Sequence, residues 1–371
     1  MSSEQKSIKH IKPFIKWAGG KEKELIILQK FFPKRISRFI EPFVGGGSVF
    51  LNTVADSYYV NDKSKELITL YLMIKKQNKT FFRYLNTIAS GWKKIELFVI
   101  ENEEELIELY KSATAIDINT FVKKHEKSIQ DLSIIKNQDC SIMVKEAVKN
   151  LQSKIKRARK IEIEKGRLSQ ADIVDNMECA LKSAFYMYLR QLYNSLSLFE
   201  NEELYSAVFY FIREYCYSSM FRYNTDGEFN VPYGGISYNK KDFSEKIKYI
   251  HSKKLTEKLS CTNFSCNDFE VFFQEFNLSE EDFIFLDPPY DSDFSTYAKN
   301  TFDKSDQIRL CDSLKTIKAK FLLVIKETDF IKNLYSDFNI ISFQKHYLVS
   351  FKNRNDKDVT HLIITNYKEA F

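Results

Sequence analysis

Short apolar runs alternate with helical patterns at both ends of the chain. Four of these runs are rich in β-branched or aromatic residues and end in Asp, Gly, Pro or Lys, as buried strands often do. They are Phe39–Phe43, Tyr58–Val60, Phe283–Leu286 and Phe321–Ile325. Apolar residues recur at three- and four-residue spacing in Lys23–Phe32, Ser64–Ile74 and Gln307–Ile317, which predicts helices between the strands. This alternation predicts an α/β fold with a doubly wound, largely parallel sheet.

The last two apolar segments predict a different kind of pairing. Ile340–Phe351 and Val359–Asn366 are joined by the polar stretch Lys352–Asp358. Because a short polar connection favours neighbouring antiparallel strands, we expect a C-terminal antiparallel hairpin.

The middle of the chain, from about Lys75 to Ser206, has few Gly or Pro residues and many Lys and Glu residues. Its apolar residues follow a helical period, for example at Val144, Val148, Leu151 and Ile155. We therefore expect a discontinuous α/β domain, residues 1–75 and 245–371, interrupted by a helical domain at residues 76–244. The basic run Lys154–Lys165 within it is either a solvated helix face or a phosphate contact.

The composition disfavours some classes of protein and site but does not identify one function. A chain of 371 residues, 44% of them hydrophobic, can build one large core plus an insertion or a second domain. The formal charge of +6 suits a polyanionic partner but also many enzymes of neutral substrates. The six cysteines form no Cys-x-x-Cys pair and the five histidines do not cluster beside them, which argues against a metal site and a disulfide framework. Met1–His10 lacks an apolar signal core and no apolar run could span a bilayer, so we expect a soluble, cytoplasmic protein.

A glycine-rich turn follows the first predicted strand, in the segment Phe39–Ser48. It lacks the G-x-G-x-x-G spacing of dinucleotide folds and the Lys of a phosphate loop, so a mononucleotide-like ligand is favoured over a dinucleotide. A plain tight turn is the alternative interpretation. Asp62 follows the next strand, where a carboxylate can accept hydrogen bonds from both hydroxyls of a ribose. An adenosine-containing cofactor is therefore expected, with contacts from Glu41, Phe43, Gly45, Gly47 and Asp62.

Asp287-Pro288-Pro289-Tyr290 follows the apolar run Phe283–Leu286 directly, which places it at the carboxyl end of a strand, where open α/β sheets bind ligands. The alternative is a strand-terminating Pro-Pro turn. The residue types suit transfer to the amino nitrogen of a nucleobase, whose lone pair is delocalised into the ring. The Asp287 carboxylate and the Pro288 carbonyl could accept the two amino hydrogens, and Tyr290 could stack on a base that has left the duplex.

These segments, with several others in the same order, resemble the Dam-type DNA adenine methyltransferases, in the group whose cofactor motif precedes the catalytic motif. The matching segments are Lys16–Lys21, Glu41–Ser48, Asn61-Asp62, Phe221–Asn224, Gly227–Gly234, Cys266–Phe269, Asp287–Tyr290, Asn353-Arg354 and Leu362–Tyr367. The resemblance implies a Rossmann-like methyltransferase domain interrupted by a target-recognition domain, with DNA in the cleft between them. It also implies methyl transfer from S-adenosyl-L-methionine to N6 of a flipped adenine in double-stranded DNA.

The resemblance further implies roles for individual residues. Trp17, Lys21, Asp62 and Asp287 would line the cofactor site, Asp268 and Phe269 would hold the cofactor's adenine, and Tyr290 would stack on the flipped base. Target recognition would involve Lys16, Arg222, Asn224, Asn230, Pro232 and Tyr233. From the residues alone, the fork-shaped and amide side chains of this loop could pair with base edges, or could form a polar turn around Thr225–Gly227.

The chain departs from the family pattern in two places. Gly235 and Ile236 stand where members that read GATC usually have a basic and then an aromatic residue, so the DNA sequence that is read stays open. The helical stretch at about 91–180 has no counterpart in the shortest members and is an additional insertion of open role. Three other functions remain as alternatives: cytosine-N4 methylation, which Ser in place of Asp287 would favour, RNA methylation, and catalytically silent DNA binding. A nicotinamide dehydrogenase is disfavoured by the glycine spacing.

Overall fold

The computed structural model describes residues 10–112, 114–134, 141–220, 222–289, 302–346 and 358–368. The chain divides into two compact units, which we call the sheet unit (Met1–Lys76 with Ser252–Phe371) and the helical unit (Gln77–His251). The second crossing between them lies after a helix at Phe243–Ile250, rather than at 244/245 as the sequence pattern suggested. Within the described residues, no helix is both long and apolar enough to cross a membrane.

The sheet unit is built on seven strands in the order β3-β2-β1-β4-β5-β7-β6. They are β1 (Arg38–Glu41), β2 (Ser57–Asn61), β3 (Thr262–Ser265), β4 (Asp282–Leu286), β5 (Lys320–Lys326), β6 (Asn339–His346) and β7 (Asp358–Thr365). The first five strands are mutually parallel, whereas β7 runs antiparallel to both β5 and β6. The predicted α/β class and the C-terminal antiparallel hairpin are thus confirmed.

The described helices divide between the two units in chain order. They are α1 (Leu25–Leu28), α2 (Lys65–Lys75), α3 (Lys79–Glu101), α4 (Glu103–Ser112), α5 (Ala115–Lys124), α6 (Glu126–Gln130), α7 (Ser141–Lys165), α8 (Gln170–Ser195), α9 (Glu202–Tyr215), α10 (Phe243–Ile250), α11 (Lys253–Ser260), α12 (Phe269–Gln274), α13 (Lys304–Thr316) and α14 (Asp329–Leu334). The helical unit contains α3 to α10, and the sheet unit contains the others.

Strand β4 shows why the apolar runs are continuous rather than alternating. All five of its residues are buried, because neighbouring side chains point to opposite faces of the sheet and both faces are covered. Ile284 and Leu286 lie in a core cluster with residues of α12, α13 and α14. On the other face, the Phe283 ring packs against Phe32, with ring centroids 4.8 Å apart.

Two local expectations need correction, and one strand was not predicted. Lys23–Phe32 is not one helix, because α1 is a single turn followed by a 3-10 turn at Gln29–Phe31. The helix predicted from Gln307 begins earlier, at Lys304, because Asp303 and Asp306 form a reciprocal capping box. Strand β3 was not predicted, since it is short and has the polar residues Asn263 and Ser265 in a four-residue segment.

Candidate active site

Four carboxylates stand at or just beyond the ends of four neighbouring parallel strands. Glu41 ends β1, Asp62 follows β2 directly, Asp268 comes three residues after β3, and Asp287 follows β4. Because these strands are adjacent and parallel, their carboxyl ends share one edge of the sheet, where open α/β sheets bind ligands. The edge therefore suits a ligand with a positive charge and hydroxyl or amino donors.

The glycine turn after β1 closes tightly against its surroundings. Gly45 and Gly47 both have positive φ, at 48° and 74°, a conformation that L side chains adopt only with strain. A Cβ on Gly45 would stand 2.8 Å from Cδ1 of Trp17, so the indole lies directly against the turn. The Tyr71 hydroxyl donates to the Gly45 carbonyl at 3.0 Å. These contacts bring the predicted residue Trp17 to the glycine turn.

Gly47→Ala is expected to destabilise the sheet unit by about 2–4 kcal/mol, because strain at positive φ and overpacking add together. The new Cβ would stand 2.5 Å from Cε1 of Phe50 and 2.6 Å from the Tyr71 hydroxyl. Urea unfolding measures the loss. Gly19→Ala is the matched control, because Gly19 has φ of 80° with no atom within 4 Å of the new Cβ. Equal losses in the two variants would contradict a rigidly packed turn.

Asp62 links the glycine turn to the start of α2. Its Oδ2 accepts from the Gly45 amide at 3.0 Å and its Oδ1 accepts from the Ser64 amide at 2.9 Å. Burial raises the pKa of Asp62 to about 6, against the opposing effect of these two amide donors. A carboxylate has about four acceptor positions, so Asp62 keeps capacity for a ligand hydroxyl.

Lys21 connects the N-terminal segment to the glycine turn and to β4. Its side chain is 1% exposed, and its ammonium group donates both to the Gly19 carbonyl, at 2.9 Å, and to Oδ2 of Asp287. Its backbone amide donates to Oγ of Ser48 at 3.1 Å. Lys21 therefore brings Asp287 and the glycine turn into one site, and it supplies the buried positive charge that offsets the Asp287 carboxylate.

Glu41 lies deeper than the other three carboxylates. It is 2% exposed, and its Oε2 accepts from the Phe50 amide at 3.1 Å. Burial first, and then the Asp287 charge, raise the pKa of Glu41 well above its usual range, so the neutral acid is favoured there. Its observed contact supports the backbone behind the glycine turn, and the neutral form adds no repulsion to the site.

Asp268 and Phe269 begin α12 and are held in place by Arg309 of α13. Asp268 accepts from the Glu270 amide at 3.1 Å as the helix N-cap, and from Arg309 at 2.8 Å. The guanidinium carbon of Arg309 lies 4.9 Å from the Phe269 ring centroid. Phe269 is buried against Phe43, with ring centroids 5.7 Å apart, so the two predicted aromatic residues form one wall.

The segment after β4 is fixed on its far side by α13. Pro288 is buried and Pro289 is exposed, and the Pro289 carbonyl accepts from Nε2 of Gln307 at 3.4 Å. Gln307 is completely buried, and its Oε1 has no hydrogen-bond partner among the described residues. Tyr290, the last residue of the predicted motif, lies outside the described residues.

The loop predicted to read DNA, residues 222–233, lies in the helical unit, and we call it the recognition loop. Lys16 is an exposed residue of the sheet unit. Nε of Arg222 donates to Oδ1 of Asn230 at 2.8 Å. Oδ1 of Asn224 accepts from the amides of Asp226 and Glu228 at 3.1 and 2.8 Å, which makes Asn224 a turn-forming residue. The polar-turn interpretation therefore describes the conformation of Asn224 seen here.

Pro232 and Tyr233 differ in exposure. Pro232 is exposed and its carbonyl accepts from the Tyr217 amide at 2.8 Å. Tyr233 is only 8% exposed, and its hydroxyl donates to Oδ1 of Asn239 at 3.0 Å. Its ring lies 5.8 Å from that of Trp92, so in this conformation Tyr233 is part of the core of the helical unit.

Helix α8 holds this loop with side chains spaced four residues apart. The side chains are Lys182, Tyr186, Arg190 and Asn194, and they donate to the carbonyls of Asn239, Val231, Val231 and Phe229, respectively. Asn194 also accepts from the Phe229 amide at 3.0 Å. Residues at this spacing share one helix face. These four residues, which we call the α8 stripe, therefore fix the backbone path of residues 229–239.

Several residues of the site were not expected from the sequence. They are Ser48, Tyr71, Gln307 and Arg309 around the sheet edge, and the α8 stripe behind the recognition loop. The four-residue spacing of the α8 stripe is visible in the sequence, but the polar residues in it resemble a solvated face. Among the described residues, no group of three or more His, Cys, Asp or Glu side chains could hold a metal ion.

The chain is similar to DNA methyltransferases over most of its length. A family model described as "D12 class N6 adenine-specific DNA methyltransferase" matches residues 17–349. The type II methyltransferase M.CviBI of Paramecium bursaria Chlorella virus NC1A is 28% identical over 366 residues, covering 96% of this chain and 100% of the relative. The type II methyltransferase M1.LlaDCHI of Lactococcus lactis subsp. cremoris is 25% identical, with 98% of each chain covered. A DNA adenine methylase of Haemophilus influenzae is 25% identical, with 89% of this chain and 84% of the relative covered.

Proposed function

Because the chain belongs to the D12 class of N6 adenine-specific DNA methyltransferases, we propose that it uses S-adenosyl-L-methionine to methylate a flipped adenine in duplex DNA. Membership of this family makes it an adenine-specific DNA methyltransferase, with DNA as its substrate. The observation that carries the proposed donor and site is the row of four carboxylates at the ends of β1 to β4.

The donor set at this edge fits S-adenosyl-L-methionine. When bound, this cofactor supplies a methyl group on a positively charged sulfur, together with ribose hydroxyls, an amino group and an adenine ring. Ionised carboxylates attract the positive charge and accept from the hydroxyls, and the glycine turn after β1 brings backbone groups to the same edge of the sheet. A dinucleotide would instead bring a pyrophosphate towards the same carboxylates, which disfavours the dehydrogenase alternative.

The proposed cofactor contacts divide the site into two parts. Asp62 would accept from the ribose, with the backbone of Gly45 and Gly47 below it and Trp17 against the turn. Asp268 and Phe269 would hold the cofactor's adenine, with Phe43 completing the aromatic wall. Arg309 is a positioning residue in this scheme, since it fixes Asp268 through a hydrogen bond and stacks over Phe269.

At the other part of the site, Asp287 would activate the target amino group. Its carboxylate and the Pro288 carbonyl would accept the two amino hydrogens, which makes the nitrogen more pyramidal and more nucleophilic. Lys21 fixes one oxygen of the carboxylate, and a carboxylate retains further acceptor positions beyond that bond. Gln307 holds the Pro289 carbonyl and so restricts the peptide that follows. The amino proton that is lost after transfer would leave through Asp287 or solvent.

The remaining roles concern the DNA. Tyr290 would stack on the flipped adenine, since a base must leave the duplex before its amino nitrogen can be approached in line. Lys16, Arg222, Asn224, Asn230, Pro232 and Tyr233 would form or support the contacts that select the target sequence. The Arg222–Asn230 pair presents a planar guanidinium in a fixed orientation, which suits pairing with a base edge.

The pKa of Asp62 provides a direct test of cofactor binding. Affinity for S-adenosyl-L-methionine should fall up to about tenfold per pH unit as the pH drops below about 6, because the protonated acid accepts fewer hydrogen bonds. Because burial raises this pKa in the folded state, protonation of Asp62 favours folding as the pH falls. Loss of cofactor binding near pH 5.5 would therefore not result from destabilisation of the fold by Asp62. Calorimetric titrations between pH 5 and 8 measure the effect.

Asp62→Asn is the control for this titration, because it should bind the cofactor weakly and without the pH dependence. Equal wild-type affinity at pH 5.5 and 7.5 would contradict the ribose-binding role of Asp62. Absence of any binding at pH 8 would contradict the proposed donor itself. Tritium transfer to duplex DNA and to RNA of the same sequence, followed by identification of the methylated base, distinguishes the DNA-adenine activity from the RNA and cytosine alternatives.

A further inference from the structure

A groove of about 640 Å³ runs along one face of α3 in the helical unit. The polar α3 residues that line it recur at three- and four-residue spacing, and they are Lys79, Arg83, Asn86, Thr87, Ser90 and Lys94, with the buried Phe82 and Gly91 beside them. All six are exposed. Because this spacing places them in one sector of the helix, they form a continuous stripe, which we call the α3 stripe. Neither the glycine turn nor the recognition loop contributes to it.

The α3 stripe carries three cations that the protein does not neutralise. Within the described residues, Lys79, Arg83 and Lys94 form no ion pair, whereas the neighbouring Lys93 pairs with Glu96 at 2.7 Å. Among the residues that the structure describes, Asp131 is the one acidic side chain that lines the groove. The stripe therefore has a net positive charge and the groove is open to a ligand of opposite charge.

The side chains between the cations suit phosphate oxygens. Asn86 and Ser90 lie between Arg83 and Lys94 on the stripe, and among the described residues their side chains make no hydrogen bond. Amide and hydroxyl groups of this kind donate to phosphate oxygens in protein–DNA interfaces. The Thr87 hydroxyl donates to the Arg83 carbonyl at 2.9 Å, which leaves Asn86 and Ser90 as the donors available to a ligand.

The length of the α3 stripe excludes a single phosphate as its full occupant. Lys79 and Lys94 are fifteen positions apart, which corresponds to about 22 Å along the helix. Successive phosphates on one strand of a duplex advance by about 3.4 Å along its axis, so this length matches about six nucleotides. An extended polyanion can contact both ends of the stripe, whereas a free phosphate or a mononucleotide would contact only one.

Two further residues that line the groove, His251 and Gly91, pack closely against their neighbours. The His251 ring stacks on Phe82, with centroids 3.7 Å apart, and its Nδ1 is hydrogen-bonded to Oε1 of Gln77 at 2.6 Å. At the floor, Gly91 lets α3 approach α8 closely, since a Cβ there would stand 2.9 Å from Cζ of Phe185. Ring stacking and close helix packing therefore hold this part of the groove lining in place in the structure.

We propose that the α3 stripe binds the sugar–phosphate backbone of the DNA, outside the segment that carries the target adenine. This inference rests on the proposed function, because a duplex DNA substrate supplies the polyanion. The contact is independent of base sequence, since phosphates carry no direct sequence information. It would raise affinity for every DNA equally and would leave the chemical step unchanged.

The test is the salt dependence of DNA binding by a triple variant, K79Q/R83Q/K94Q. Each lost phosphate contact should lower the slope of log Kd against log salt concentration by about 0.9, so the triple variant should lose about 2 to 3 units of slope. The loss should be equal for target and non-target duplexes, with kcat and affinity for S-adenosyl-L-methionine at wild-type values. Fluorescence anisotropy over a salt series measures the slopes.

The matched control is K123Q/K127Q/K145Q, which removes the same charge from three lysines of the helical unit that are exposed, lie outside the basic run Lys154–Lys165 and form no ion pair in the described chain. The control should change the slope by less than one unit, and an equal change in both variants would overturn the proposal. A titration with inorganic phosphate or ATP distinguishes the source of the anion. Binding of these ligands that the α3 variant abolishes, without any change in DNA binding, would also overturn it. A wild-type protein that binds DNA but not the cofactor would refute the proposed donor and leave the α3 assignment standing.

Discussion

Asp287→Ala is expected to lower methyl transfer by at least about 10²–10³-fold while DNA and cofactor still bind measurably. The carboxylate is one of the two groups proposed to accept hydrogen bonds from the amino group of adenine. These hydrogen bonds should stabilise the transition state of methyl transfer more than the bound ground state. Such an interaction changes kcat more than KM. Single-turnover tritium transfer gives the rate of the chemical step, and anisotropy and calorimetry give the two affinities.

The structural role of Asp287 must be separated from its chemical role, because its replacement leaves the buried Lys21 ammonium without its carboxylate. Asp287→Asn keeps an acceptor for Lys21 but turns one acceptor towards the substrate into a donor. We expect it to lose less stability than Asp287→Ala, because the hydrogen bond to Lys21 is kept although the charge is not, and to lose nearly as much activity. Turnover near the wild-type rate in either variant would contradict the proposed role.

Asp282→Asn is a matched control from the other end of the same strand. Asp282 is buried, which opposes its ionisation, but two contacts of 2.6 Å with Arg38 hold the pKa of Asp282 below its usual range. Its replacement should therefore reduce stability, most of all at neutral pH, where the carboxylate is charged and paired. The chemical step should keep its wild-type rate, because this end of β4 lies at the opposite edge of the sheet.

Much of the sheet edge could be predicted because its parts are local in sequence. Glu41, Asp62 and Asp287 each stand at the end of an apolar run that forms a buried strand, and strand polarity then places them together. The role of Asp268 could be predicted only from the family resemblance, because the strand before it, β3, contains no apolar run. The polar residues of this edge strand interrupt the apolar pattern from which buried strands are predicted.

The residues that support the site could not be predicted from the sequence, for a different reason. Arg309 reaches Asp268 and Gln307 reaches Pro289 only because α13 packs against the sheet, and the sequence pattern reveals no such long-range contact. Likewise, amide residues such as Asn224 suit both base recognition and turn formation, so residue type alone could not choose between them. The structure shows the turn contacts, whereas the base contacts stay a prediction.

The helical unit contains a buried charge, Lys182, that contacts both its core and the backbone after the loop predicted to read DNA. Lys182 is 0% exposed and forms ion pairs with Glu96 and Glu178, at 2.9 and 2.6 Å. It also donates to the Asn239 carbonyl, and the Asn239 side chain in turn accepts from the Tyr233 hydroxyl. Its position over Trp92, 4.7 Å from a ring centroid, adds a cation–π contact. The loop path is therefore coupled to one buried ammonium group.

Lys182→Met is expected to lower the free energy of unfolding by about 3 kcal/mol, the low end for breaking a buried ion pair, because both carboxylates keep some contact with water. Their side chains are 25% and 18% exposed, respectively. Lys93→Met is the matched control, since Lys93 pairs with the same Glu96 at 2.7 Å but is 68% exposed, and it should cost less than about 1 kcal/mol. Urea unfolding measures both.

If Lys182 positions the recognition loop as well as stabilising the fold, its loss must also change DNA selection under conditions where the variant is folded. We expect discrimination between target and non-target duplexes to fall, with a raised KM for target DNA and unchanged affinity for S-adenosyl-L-methionine, whose proposed site is in the other unit. Lys182→Arg, which keeps the charge, should recover part of the discrimination. A variant that is destabilised yet selects DNA like the wild type would show that Lys182 supports the helical core without directing the loop.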